Sequence, residues 1–68
     1  SQRQLECTFL VGRGKTDWEI ARILGISEET VKRHVKDARD HYDVPKRVQL
    51  VIRAVFDGQI ALSDLLGH

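Results

Sequence analysis

The stretch TDWEIARILGISEETVKRHV, residues 16–35, writes two short helices with only Gly25, Ile26 and Ser27 between them. Thr16-Asp17-Trp18-Glu19 has the form of a capping box, in which the Thr16 hydroxyl takes a free N–H of the first turn and Glu19 reaches back to the cap. Asp17 and Glu19 also place negative charge at the positive end of that helix. Ile20, Ala21, Ile23 and Leu24 supply an apolar face, and Gly25 suits the left-handed position that closes a helix. Ser27 caps the next one, with Ile26 before it and Val31 inside it placed as a hydrophobic staple. The connector is a complete stop and start. It leaves the two helices no slack and sets them at a steep angle.

Outward from this stretch, the pattern predicts an all-α, four-helix (tetrahelical) domain over residues 1–57, followed by a tail at 58–68 with one short helical turn. Ser1-Gln2-Arg3-Gln4 fits a capping box opening a first helix to about Val11, ended by Gly12 and Gly14. Its apolar residues divide: Cys7, Leu10 and Val11 lie on one side and Leu5 and Phe9 opposite, so that pair is either exposed or covered by another domain or chain. The third helix, about Glu28 to Tyr42, puts Val31, Val35, Ala38 and Tyr42 on one face with His34 at its edge. Glu29, Lys32, Arg33, Lys36 and Asp40 lie on the other. Asp43-Val44-Pro45 ends it, with Pro45 at the first position of a fourth helix running to Phe56. There Val48, Val51, Ile52 and Val55 read as the core side, and Leu50 and Ala54 as another face. In the tail, Ser63 is placed to cap the last turn.

Composition narrows the function by exclusion. Hydrophobic residues make up 41% and charged residues 31% of 68 residues, a globular balance that is too apolar for disorder. The longest apolar run, Val48 to Phe56, is broken by Gln49 and Arg53, so no membrane span is expected. The start at Ser1, already inside a helix signal, reads as a piece of a longer protein. One cysteine, Cys7, excludes an internal disulfide framework and fits a reducing, cytoplasmic setting. His34, His41 and Cys7 lack metal-site spacing, Gly12-Arg13-Gly14 lacks a phosphate-loop fingerprint, and no nucleophile–base pair stands out. No cofactor is expected, and an enzyme is rejected. Net charge is only +1, from 11 Lys and Arg against 10 Asp and Glu, which counts against nucleic acid on bulk electrostatics.

The case for DNA must therefore come from position. Two helices joined by a short glycine-containing turn make a helix-turn-helix, whose second helix enters the major groove. Lys32, Arg33 and Lys36 project from the N-terminal half of that helix. The plain alternative is a solvated charged face.

Gly14-Lys15-Thr16, Trp18-Glu19-Ile20-Ala21, Leu24-Gly25-Ile26-Ser27, Thr30-Val31-Lys32, His34-Val35 and Arg47-Val48-Gln49 together resemble the LuxR-type helix-turn-helix domain, in unbroken register from about Ser1 to Ala54. Trp18-Glu19-Ile20, with Cys7, is similar to the subgroup carrying an acyl-homoserine-lactone-binding domain upstream. The resemblance implies a quorum-sensing transcription regulator that binds a palindromic operator in double-stranded DNA as a homodimer. Its third helix would be the reader, its fourth the dimer contact, and a sensor domain would precede it. Carried over by position, Lys32, Arg33, Lys36 and Glu29 meet bases or nearby phosphates, and Thr16, Trp18, Ser27 and Thr30 meet the backbone. Thr16 and Ser27 are also caps, and Trp18 also reads as half-buried packing. Arg33 is the expected guanine reader. Glu29 either accepts from cytosine N4 or, the preferred reading, holds Arg33 one turn away. Arg39, Lys46 and Arg47 are phosphate neighbours, Arg47 equally a structural link, while Arg13, Arg22 and Arg53 read as solvated. Leu50 and Ala54 are the expected dimer contact. Thr8, where the family favours a large apolar residue, and Gln4, where Glu is typical, put packing of the first helix in doubt. Two alternatives stay open: a protein-interaction module on the same fold, and the output domain of a two-component response regulator.

Overall fold

The computed structural model describes residues 1–67. These form five helices: α1 (Gln2–Gly12), α2 (Asp17–Leu24), α3 (Glu28–Tyr42), α4 (Arg47–Phe56) and α5 (Leu62–Leu66), with no strand among the described residues. Local chemistry fixes most of the boundaries. Ser1 and Gln4 close the expected capping box on α1. At α2 the Glu19 N–H donates to Thr16 Oγ1 at 3.1 Å and the Thr16 N–H donates to Glu19 Oε1 at 2.8 Å. Gly25 ends α2 at φ +70°, left-handed backbone that costs a residue bearing Cβ but not glycine. Two residues later Ser27 Oγ accepts from the Thr30 N–H at 3.0 Å and opens α3.

α3 is the central helix and packs on α1, α2 and α4. Its inner residues Val31, Val35 and Ala38 join Cys7, Ile20, Ala21 and Leu50 in one buried cluster, closed at the edges by Leu10, Val11, Leu24, Ile26, Tyr42 and Val44. Thr8 is buried without penalty, because its hydroxyl donates to the Gln4 carbonyl at 2.8 Å. Burial pushes the Cys7 thiol above its ordinary pKa, which suits a small packing residue rather than a reactive one.

The fourth helix departs from the sequence reading. It starts at Arg47 with Lys46 as cap, so Pro45 lies outside it, and Gln49 alone supplies a cap bond by accepting from the Lys46 N–H at 3.2 Å. Its fully buried residues are the two expected on another face, and of the four expected inside only Val51 and Val55 are partly buried. Leu50 is 0% and Ala54 1% exposed, whereas Val48 is 61% and Ile52 53% exposed. Leu50 and Ala54 are core residues and are not available to a partner. Thr8 on α1, Ala38 on α3 and Ala54 on α4 line one recess where three helices meet. The tail returns to the domain, with Ile60 buried. A Cβ on Gly12 would lie 2.7 Å from Leu65 and 3.1 Å from Val51, so the absent side chain lets α5 close over the end of α1. Arg13, expected in solvent, donates to the Asp64 and Gly67 carbonyls at 3.0 and 2.6 Å. Ser63 lies inside α5, whose cap position is Ala61.

The box at α2 has a pH signature. The bond from the Thr16 N–H holds the Glu19 carboxyl below the usual value for a glutamate. A lowered folded pKa favours the charged form in the folded state. Its stabilisation is therefore present above the unfolded carboxylate pKa and is lost as pH falls through the folded one. The melting-temperature gap between wild type and Glu19→Gln should be wider at about pH 7 than at about pH 3. A gap that stays constant would rule out this bond as the source.

Candidate nucleic-acid interface

Glu29, Lys32, Arg33, Lys36 and Asp40 are all exposed on the outer face of α3, as the helical spacing requires once Val31, Val35 and Ala38 turn inward. Glu29 does not hold Arg33. Neither residue belongs to any of the ion pairs found among the described residues, which leaves both side chains open to solvent. Lys36 Nζ lies 3.0 Å from Asp40 Oδ2, both side chains 65% exposed, a pairing worth only about 0.3–0.5 kcal/mol and readily exchanged for a phosphate.

At the helix starts, Thr16 and Ser27 serve as caps, and the Ser27 and Thr30 hydroxyls lie 2.8 Å apart. Trp18 is 56% exposed on the first turn of α2, and its ring lies 5.2 Å from the Arg22 guanidinium. Arg22 is thus held against an aromatic face, and Arg53 similarly lies 5.9 Å from the Tyr42 ring. His34 is partly buried at the edge of the core face. No group of His, Cys, Asp and Glu capable of holding a metal occurs among the described residues.

Between the outer face of α3 and the start of α4 lies a recess lined by Lys32, Lys36, Arg39, Lys46 and Arg47, with Val35, Pro45 and Val48 as its apolar walls. No acidic residue lines it. The near-neutral chain thus carries a local cluster of cations. The sequence reading placed these five cations near DNA separately, and the fold brings them together. Three have internal partners as well: Lys36 pairs with Asp40, Arg39 Nη1 donates to the Pro45 carbonyl at 2.9 Å, and Arg47 Nη1 lies 2.6 Å from Asp17 Oδ1. Asp17 as a partner for Arg47 was missed, because nothing in local spacing links residues 30 apart.

Caps on both sides of a three-residue turn, a second helix packed by one face and charged on the other, and a cationic recess beside it define a helix-turn-helix domain. The family of bacterial regulatory proteins described as the luxR family matches residues 1–54, and the chain belongs to it. The chain is 35% identical over 60 residues to transcriptional activator protein LuxR of Aliivibrio fischeri, covering 88% of this chain and 24% of that protein. It is 38% identical over 65 residues to transcriptional activator protein AhyR of Aeromonas hydrophila, covering 96% and 25%. With transcriptional activator protein CarR of Pectobacterium carotovorum subsp. carotovorum it shares 42% over 55 residues, covering 81% and 22%. The chain thus spans about a quarter of the length of these relatives. No helix among the described residues is long and apolar enough to cross a membrane.

Proposed function

We propose that the chain is the DNA-binding effector domain of a cytoplasmic transcription regulator, without enzymatic activity, controlled by an acyl-homoserine-lactone sensor domain upstream. Residues 1–57 form the DNA-binding domain in this reading. α3 lies in the major groove with Arg33 on guanine, Lys32 and Lys36 on bases or adjacent phosphates, and Glu29 accepting from a cytosine amino group. Thr16, Trp18, Ser27, Thr30 and Lys46 face the phosphate backbone, with Arg39 and Arg47 behind them. The observation that carries this reading is the acid-free recess of five cations beside the exposed basic face of α3. Such a surface suits a polyanion whatever the net charge.

A palindromic operator requires a dimer, and the exposed side of α4 offers its contact. Val48, Ile52 and Phe56 recur every four residues and are 61%, 53% and 84% exposed. The test is a titration of a palindromic duplex, selected by the chain from a random pool, at several salt concentrations. The expected result is a linear fall of log K with log salt, with a slope of about −0.9 per phosphate neutralised. Binding that ignores salt, or that shows no preference for the selected duplex, would favour an interaction module. The observation on that side is the apolar groove between Leu5, Phe9, Leu10 and Ile23.

A further inference from the structure

The ion pair between Asp17 and Arg47 differs in kind from the other two in the described structure. Arg3–Glu6 and Lys36–Asp40 each join neighbouring turns of one exposed helix. Arg47–Asp17 joins the first residue of α4 to the first residue of α2, at 2.6 Å, with the Asp17 side chain only 18% exposed. α2 packs chiefly on α1 and α3, and so does α4. The pair is therefore a direct tie between two helix starts that otherwise rely on shared neighbours. A second tie acts on the same turn, where Arg39 donates to the Pro45 carbonyl and its buried Nε has no partner.

We propose that Asp17 and Arg47 are a positioning pair for the DNA interface. The inference rests on the DNA-binding reading above. The pair sets the start of α4, and with it Lys46 and one wall of the cationic recess, against the start of α2, where Thr16 and Trp18 stand. Arg47 acts through Asp17 and is not spent on phosphate. Two opposite expectations follow for Asp17. By charge alone, removing a carboxylate beside a polyanion site strengthens binding. By positioning, the same removal weakens binding to the specific duplex, because the recess loses its registration with the helix starts.

The experiment compares wild type, Asp17→Asn, Arg47→Lys and the double variant on the selected palindromic duplex and on an unrelated duplex, at several salt concentrations. Thermal unfolding of each variant without DNA shows that it is folded at the assay temperature. Asp17→Asn is expected to lose roughly two- to 150-fold on the specific duplex, the range of coupling between contacting residues. Its salt slope should match wild type, since no phosphate contact is removed, and the unrelated duplex should bind as before. The double variant should be no worse than the weaker single one. Arg47→Lys keeps the charge but not the planar fork, so a loss there with an unchanged slope also marks geometry, and it serves if Asp17→Asn fails to fold. Equal or tighter specific binding by Asp17→Asn, or losses that multiply in the double variant, would overturn the proposal. If wild type itself shows no salt-dependent, duplex-selective binding, the DNA reading has failed, and that outcome is visible before any variant is compared.

Discussion

Leu50→Ala should melt far below wild type, while Ile52→Ala, two residues away, should melt like wild type. Leu50 is completely buried and is among the largest fully buried side chains, with Ile20 and Val31. Truncating such a leucine removes its transfer energy and leaves a cavity, at a cost of about 2–5 kcal/mol. A domain of this size holds only about 3–5 kcal/mol in total, so the substitution consumes most or all of it. Ile52 is 53% exposed, and its truncation belongs to surface changes of about ±0.5 kcal/mol. Far-UV circular dichroism during heating reads both variants. If Leu50→Ala melts within a few degrees of wild type while Ile52→Ala collapses, α4 is oriented the other way and the stripe of Val48, Ile52 and Phe56 belongs to the core.

This contrast also marks the limit of what the sequence disclosed. The α2–turn–α3 unit was legible because Thr16, Glu19, Gly25 and Ser27 act on backbone within three or four residues of themselves, where one-dimensional order and three-dimensional neighbourhood coincide. The faces of α3 were legible because its apolar and charged residues separate cleanly by angle. α4 has no such separation: Val48, Leu50, Val51, Ile52, Ala54, Val55 and Phe56 are apolar nearly all round. Periodicity then offers two faces, and only the packing of α4 on α1 and α3 decides between them. The Asp17–Arg47 tie and the Arg13 bonds to α5 were hidden for the same reason, being contacts 30 to 54 residues apart.

The orientation of α4 matters for the proposed dimer, because it moves the candidate contact from Leu50 and Ala54 to the outer side of the helix. Its inner side holds α1 and α3 together, while its outer side carries apolar surface that a folded monomer leaves in water. Isolated exposed apolar residues are ordinary, but three in helical register make a stripe. Substituting an inner residue should therefore destroy folding, and substituting an outer one should touch only dimerisation.

The largest effect on binding should come from removing Lys32, Arg33 and Lys36 together. All three are exposed, Lys32 and Arg33 have no ion-pair partner among the described residues, and Lys36 has only a solvated one. Alanine at these sites should leave the core intact and even favour the helix slightly. In the proposed complex Arg33, its planar fork matched to guanine O6 and N7, would account for about 1–3 kcal/mol of base discrimination. Each lysine on a phosphate contributes through counterion release, roughly 1 kcal/mol near 0.1 M salt given a slope of about 0.9 per contact. Together they amount to about 3–5 kcal/mol, a loss of roughly 10²–10⁴-fold, with the salt slope shallower by about two. The single substitutions separate the roles. Arg33→Ala should relax selectivity at one base pair of each half-site, whereas Lys32→Ala should weaken all duplexes nearly alike and lower the slope by about one. Selection from a random pool with each variant reads the first effect, and salt titration the second. If the triple variant binds the selected duplex within a fewfold of wild type, α3 is not the reading helix, and the cations left at Arg39, Lys46 and Arg47 must account for the binding.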